Sequence, residues 1–200
     1  NFTNAGASPK NYVSKNEHFC KSAFARYPSS NFIALVEKHE ITYHEKKLGQ
    51  LFCDDSAQSI VDLLKNECDE AAAEFRLDCS VKKIQRDDAP HSLFKIETTH
   101  GNFQCSSLVI ATGGLSIPKI GATGFGYEIA KQFGLKLIDR AAALDGFTLS
   151  PEDAENFQGL AGVSVDSIVT TDKVSFRENI LFTHAGLSGP ATLQASLHWH

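Results

Sequence analysis

Leu108-Val109-Ile110-Ala111-Thr112-Gly113-Gly114 runs on into Leu115-Ser116-Ile117-Pro118-Lys119-Ile120-Gly121-Ala122-Thr123-Gly124-Phe125-Gly126. The apolar, partly β-branched start predicts a buried parallel strand. The Thr-Gly-Gly turn removes the Cβ atoms that would keep a phosphate or ring from the backbone. Gly126 to Phe133 predicts a short helix closed by Gly134. Strand, glycine turn and helix, in that order, are how doubly wound α/β folds bring backbone N–H groups to a nucleotide. A tight strand-to-helix turn without a ligand has the same appearance, so the context must decide.

Upstream, Phe75 to Asp78, Ser80 to Ile84 and Leu93 to Thr98 alternate as strands do. His100-Gly101-Asn102 supplies a hairpin turn, and Phe103-Gln104-Cys105 returns. A three-strand antiparallel β-meander thus feeds the glycine-turn strand, where an ordinary Rossmann unit would place a helix. Earlier still, Ser14-x-x-Glu17 fits a capping box ahead of a stripe at Cys20, Ala23, Phe24 and Tyr27. Phe32, Leu35, Val36 and His39 repeat that spacing, which gives His39 a structural place at a helix end. Ile41 to Glu45 and Leu51 to Cys53 predict short strands, and Asp54-Asp55-Ser56 caps a helix whose buried face carries Ile60, Leu63, Leu64, Cys68 and Ala71.

Downstream, Leu135 to Ile138 resumes extended structure, and the composition changes from about Ala141. Phe147 to Leu149, Ser164-Val165, Ser167 to Val169 and Asn179 to Phe182 read as short strands between turns. A helix opens near Ala191. The expected fold class is α/β, with residues 1–140 as one domain and 141–200 as the start of a β-rich one.

The net charge of −5 and the lack of a Lys/Arg block argue against nucleic acid as a partner. No apolar run approaches a membrane span and no signal peptide opens the chain, so no membrane partner is expected. Five cysteines at wide spacings, without a C-x-x-C, fit reduced thiols in the cytoplasm better than a zinc site or a disulfide framework. The chain opens on Asn1 and contains no methionine, so it is expected to be an internal piece of a longer protein.

Several constellations can be weighed. Gly186-Leu187-Ser188-Gly189-Pro190 approaches a nucleophile elbow, but Pro190 stands where G-x-S-x-G needs glycine. Gly121-x-x-Gly124-x-Gly126 is neither G-x-G-x-x-G nor a P-loop. His198-Trp199-His200 offers only a pair of ligands, so no metal is expected. In Tyr43-His44-Glu45 alternation turns His44 away from its neighbours. His184, in a glycine-rich turn with Thr183 and Ser188, can reach a ligand or simply bond within its loop.

Taken together, Tyr43 to Asp54, Leu108 to Pro118, Gly121 to Tyr127 and Leu181 to Ala191 resemble the HI0933-like (BaiN-type) family of bacterial flavoproteins over essentially the whole chain. The resemblance implies a partial Rossmann-like FAD-binding domain, interrupted by an inserted β-rich region. It implies an FAD-dependent oxidoreductase moving a hydride through flavin N5 to or from an unidentified small molecule, with NAD(P)H as a candidate reductant. A non-catalytic flavin- or nucleotide-binding module is the alternative. The family's G-x-G-x-x-G unit precedes a Gly-Arg-Cys-Asn-x-Thr-Asn loop, of which Asn1-Phe2-Thr3-Asn4 stands here; the 200 residues alone are therefore expected to be inactive. By position, Ala111, Thr112, Gly113 and Gly114 would lie against the FAD diphosphate, and Val81 would present backbone to the adenine. Asn1, Thr3 and Asn4 would approach the flavin, as would Gly121, Thr123 and Gly124. His184 is the candidate for polarising a substrate. The chain departs from the family pattern at Asp145-Gly146-Phe147, where a Val-Pro-Phe-like stretch is usual.

Overall fold

Apolar residues at helical spacing shape the first half of the chain. In the computed structural model, which describes residues 1–172 and 174–199 (Ile120 by its backbone alone), the chain divides into two compact units, Asn1–Ala111 and Thr112–His200.

In the first unit, α1 (Lys21–Arg26) and α2 (Ser29–Lys38) are separated by Pro28, whose extended backbone opens the second helix. α3 spans Gln58–Glu70, and Ser56 Oγ accepts the Gln58 N–H at 3.1 Å. Val36 of α2 and Leu63 of α3 are fully buried. Glu67 ties the two helices: Lys38 Nζ donates to its Oε1 at 2.7 Å, and His39 Nε2 lies 2.7 Å from the same oxygen. The structural role expected of His39 is thereby given a partner. The Ser14-x-x-Glu17 capping box does not form. Ser14 Oγ instead accepts the Asn16 N–H at 3.0 Å, a local turn that competes with helix initiation.

Two antiparallel sheets complete this unit. β1 (Thr3–Asn4), β2 (Tyr43–Glu45) and β3 (Gln50–Cys53) lie in the order β1-β3-β2, with Thr3 opposite Leu51 and Asn4 opposite Gln50. The Phe2 ring meets those of Phe32 and Tyr43 edge-on at 6.1 and 5.5 Å, which seats the sheet on α2. β4 (Val81–Arg86), β5 (Phe94–Thr98) and β6 (Gly101–Cys105) form the second sheet in that order. Ile84 pairs with Ile96, which pairs with Phe103; Ile84 is 2% exposed. The Thr98 hydroxyl donates to Gly101 O at 2.7 Å and accepts the His100 N–H at 3.0 Å, fixing the turn between β5 and β6. Phe75 to Asp78 is no strand, and Phe75 and Leu77 are exposed.

The parallel strand expected at Leu108 to Ile110 is corrected by the structure. These residues form no strand, Val109 is 83% exposed, and among the described residues no hydrogen bond ties 107–117 to any other part of the chain. A parallel strand needs a neighbour to receive its N–H and C=O groups. Every strand pair described is antiparallel, and none runs beside this stretch.

The second unit opens with the glycine loop and α4 (Phe125–Gln132), which buries Ile129. Gly134, at φ +74°, ends the helix, with the Leu135 N–H returning to Ala130 O at 2.9 Å. No strand follows at Leu135 to Ile138. β7 (Phe147–Thr148), β8 (Ser164–Thr170), β9 (Ser175–Phe182) and β10 (Gly186–Ser188) form an antiparallel sheet in the order β7-β10-β9-β8. α5 (Pro151–Asn156) is capped by Ser150, whose Oγ accepts the Asp153 N–H at 3.1 Å. α6 (Pro190–Ser196) buries Ala191, Thr192, Ala195 and Ser196. A Cβ on Gly146 would lie 2.8 Å from Leu187 O, so glycine there lets β10 approach closely. Among the described residues no helix is long and apolar enough to cross a membrane.

Candidate functional site

The glycine loop is built from backbone. Residues 111–114 leave their N–H groups without a partner among the described residues. Gly113 adopts φ +71°, and a Cβ at Gly113, Gly121 or Gly124 would meet nothing within 4 Å. The loop is thus open space edged by free donors, a setting suited to an anion such as a diphosphate. Ile117 and Gly121 are both left-handed, at φ +57° and +97°, and bracket the turn Pro118–Ile120 that redirects the chain toward α4. Thr123 Oγ1 accepts the Phe125 N–H at 3.4 Å, so its hydroxyl helps start that helix.

Two residues beside the loop went unseen in the sequence. Tyr127, in the first turn of α4, lies under the glycine turn: a Cβ on Gly114 would be 3.4 Å from its hydroxyl oxygen. Arg140 places its guanidinium carbon 4.1 Å from the centre of the Tyr127 ring. A cation held on an aromatic face beside an open glycine turn is chemically apt for an anion. No motif links two residues at that separation, so only the fold reveals the pair.

The second group lies in the first unit. Asn4 Nδ2 donates to Leu48 O at 2.9 Å, and its Oδ1 accepts the Gly6 N–H at 2.8 Å. A Cβ on Gly49 would come within 2.6 Å of that oxygen, so the hairpin turn closes only because Gly49 is glycine. The Asn4 side chain is accordingly engaged in shaping the loop. Thr3 is half-buried and Asn1 is exposed. Val81 pairs with Thr98 on one side only, because β4 is an edge strand; its outer backbone groups face no strand.

His184 sits at the tip of a tightly bonded turn. Thr183 Oγ1 donates to Gly186 O and accepts the Gly186 N–H, each at 3.0 Å. Among the described residues no hydrogen bond or ion pair holds the exposed His184 ring. Ser188 pairs with Leu181 within the sheet, and Gly189 turns the chain into α6. The elbow-like motif is thus a sheet-to-helix junction.

Tyr43-His44-Glu45 is likewise structural. The Tyr43 hydroxyl donates to Glu37 Oε1 at 2.7 Å, a bond that raises its pKa. His44 Nδ1 lies 2.7 Å from Asp54 Oδ1; this bond, then one from Thr42, holds Asp54 below the usual carboxylate range. Glu45 Oε1 accepts the Gly49 N–H at 2.9 Å. The His198 ring lies 5.7 Å from that of Phe176, while His200 lies outside the described residues. Among the described residues no three His, Cys, Asp or Glu side chains gather as a metal site.

Comparison with known proteins gives this geometry a setting. The family model described as the HI0933-like protein Rossmann domain matches residues 1–186. The chain is 52% identical over 200 residues to the ribosomal RNA dihydrouridine synthase of Escherichia coli K12, and 46% identical over 203 residues to that of Haemophilus influenzae Rd. All of this chain is covered, against 49% and 50% of the two relatives, so it spans about half their length. Two expectations are overturned by these names: an unidentified small molecule as the substrate, and the exclusion of nucleic acid as a partner. The exclusion rested on whole-chain charge and on the lack of a contiguous Lys/Arg block, whereas RNA senses the charge that folding gathers within about a Debye length of 8 Å.

Proposed function

The chain belongs to the HI0933-like family, and on that footing we propose that it forms about half of a flavin-dependent enzyme that reduces uridine to dihydrouridine in ribosomal RNA. The observation that carries this reading is 52% identity along the entire chain to a relative bearing that name.

The residues present fit a flavin dinucleotide. Free N–H donors at Ala111–Gly114 and the open space at Gly113, Gly121 and Gly124 suit the diphosphate of FAD. A flavin bound here would supply hydride chemistry at the uracil C5=C6 bond, with NAD(P)H as the reductant. The protein's part is to hold and orient. Thr112 and Gly114 present donors, Thr123 fixes the start of α4, and Val81 offers edge-strand backbone to the adenine. Asn1 and Thr3 would approach the flavin, with Asn4 holding their loop in shape. His184 would donate its ring N–H to the uracil carbonyl conjugated to that bond and draw electron density away, and it or a water bonded to it would supply the proton to the other carbon. We assign residues 1–140 to the FAD-binding domain and 141–200 to the inserted β-rich region. The working compartment is the cytoplasm, and the 200 residues alone do not turn over.

The test uses the full-length protein. It should purify with a flavin absorption spectrum and, with NADH or NADPH, generate dihydrouridine in rRNA that lacks the modification, measured by mass spectrometry of the digested nucleosides. Flavin-replete protein that yields no dihydrouridine with either reductant would overturn the proposal.

A further inference from the structure

The chain carries its charge unevenly. Residues 1–50 hold seven lysines and arginines against four carboxylates, while the remaining 150 hold twelve against twenty. The excess is concentrated in Pro9–Tyr27, where Lys10, Lys15, Lys21 and Arg26 face a single acid, Glu17. All four cations are exposed, and none has an ion pair among the described residues.

The same segment displays aromatic rings to solvent. Phe19 is 80% exposed, and Tyr12 and Tyr27 are more than half exposed. This is a shaped surface. Cys20 Sγ reaches the Pro9 carbonyl at 3.8 Å, and the Tyr12 and Phe24 rings meet edge-on at 5.1 Å. These contacts tie the stretch Pro9–Tyr12 to the stretch Cys20–Phe24. Asn16 organises the intervening turn, accepting the His18 N–H at 3.1 Å and the Phe19 N–H at 3.0 Å. This turn carries the exposed Phe19.

Lysines interleaved with exposed aromatics are what single-stranded RNA requires: cations for phosphates and flat rings for unstacked bases. Protein interfaces, by contrast, are depleted in lysine. We propose that Pro9–Tyr27 is a contact surface for single-stranded RNA, with Phe19 as a stacking platform and Lys15 and Lys21 as phosphate contacts. The inference rests on the rRNA-reducing function proposed above and gives that function a place to hold its substrate. The segment is continuous with the loop assigned to the flavin, since the Ala7 N–H donates to Asn4 O at 3.1 Å immediately before it.

The test measures binding of a single-stranded RNA oligonucleotide to the full-length, flavin-bound protein across a potassium chloride series, alongside dihydrouridine formation. Lys15→Ala/Lys21→Ala should weaken binding and flatten the log Kd against log salt slope by about 1.4, at roughly 0.7 per phosphate contact. Phe19→Ala should weaken binding about fivefold or more, and Phe19→Trp should restore it. Flavin content and melting temperature should match wild type in all three, because these side chains are exposed. Unchanged affinity and slope in both the lysine and Phe19→Ala variants would overturn the inference, leaving the surface to a protein partner or to the remainder of the chain. If those variants behave so while dihydrouridine still forms, only this inference fails. If binding responds as expected but no dihydrouridine forms, only the proposed reaction fails. A wild-type protein that binds no RNA overturns the contact surface outright.

Discussion

Gly189→Ala is the sharpest structural prediction. Gly189 has φ +91° and ψ 164°, a backbone conformation closed to residues with a Cβ. A Cβ built there would lie 2.7 Å from Asn179 O, 2.7 Å from Leu181 N and 2.9 Å from Ile180 C, all backbone atoms of β9. Contact distance is about 3.5 Å, so β9 or the junction must move. Movement strains the pairing of Ser188 with Leu181, and also the Leu193 N–H bond to Gly189 O at 2.9 Å that begins α6. Backbone strain of about 1–3 kcal/mol plus two weakened hydrogen bonds at about 0.5–1.5 kcal/mol each gives roughly 2–6 kcal/mol. Against a total stability of about 5–15 kcal/mol this is severe, and it corresponds to a melting shift of roughly 5–20 °C. Gly159→Ala is the control. Its φ of +84° is also left-handed, but its Cβ would meet nothing within 4 Å and it lies outside the glycine loop, so only about 1 kcal/mol of backbone strain is expected. Thermal unfolding of both variants of the full-length protein, followed by circular dichroism, makes the comparison. A Gly189→Ala midpoint within about 2 °C of wild type would refute the reasoning.

Three further outcomes are expected. Arg140→Ala should weaken flavin retention about three- to tenfold, with Arg140→Lys intermediate, because the ammonium keeps the charge but loses the planar stack on Tyr127; equilibrium dialysis against FAD checks this, and equal retention in all three proteins would count against it. The Glu67 carboxyl is held below its usual range, first by the Lys38 hydrogen bond and then by His39. Its stabilisation is therefore full above the ordinary glutamate range and is lost as pH falls through the depressed value. Limited proteolysis between α2 and α3 should rise on acidification in wild type, and Glu67→Gln should remove that acid dependence; identical pH profiles would contradict it. Asn4→Ala removes two hydrogen bonds, to Leu48 and from Gly6, and should cost about 1–2 kcal/mol in urea unfolding. Asn4→Asp keeps the acceptor alone and should recover part of that loss.

The elements that could be read from sequence are those whose partners lie close along the chain. α2 and α3 carry their own stripes, the Tyr43–Glu45 and Gln50–Cys53 hairpin closes through Gly49, and β5 and β6 turn at His100. Leu108 to Ile110 failed for the opposite reason. Its apolar run reports a preference for burial, but burial of a parallel strand depends on neighbours distant in sequence, and none is described here. At Ser188 the rejection of a nucleophile elbow on the strength of Pro190 has a structural counterpart: the small residues and glycines of Gly186–Gly189 serve the close approach of β10 to β7 and β9, a backbone demand that resembles a nucleophile motif in sequence. At the candidate site the glycine turn was legible, because openness is written in glycine itself. The Tyr127–Arg140 stack was not, because neither residue type signals its position and only folding brings them together. Asn4 was legible as a loop residue, but its engagement with Leu48 and Gly6 depends on β1 adding to β3.

Whole-chain charge was the least informative number in the sequence, and the reason is physical. A phosphate group interacts appreciably only with charges inside about 8 Å at physiological salt. A sum over 200 residues averages across many such volumes. Here the average conceals opposite regions: an excess of three cations in the first fifty residues and an excess of eight carboxylates in the rest. An acidic remainder does not oppose RNA binding at a basic lobe. It repels the phosphate backbone everywhere else, which narrows the orientations in which a strand can dock. Under the proposed function, in which one uridine must reach one flavin, that repulsion would favour productive docking. Charge-neutralising variants on the acidic part, away from Pro9–Tyr27, should accordingly raise non-productive RNA binding without raising the rate of dihydrouridine formation.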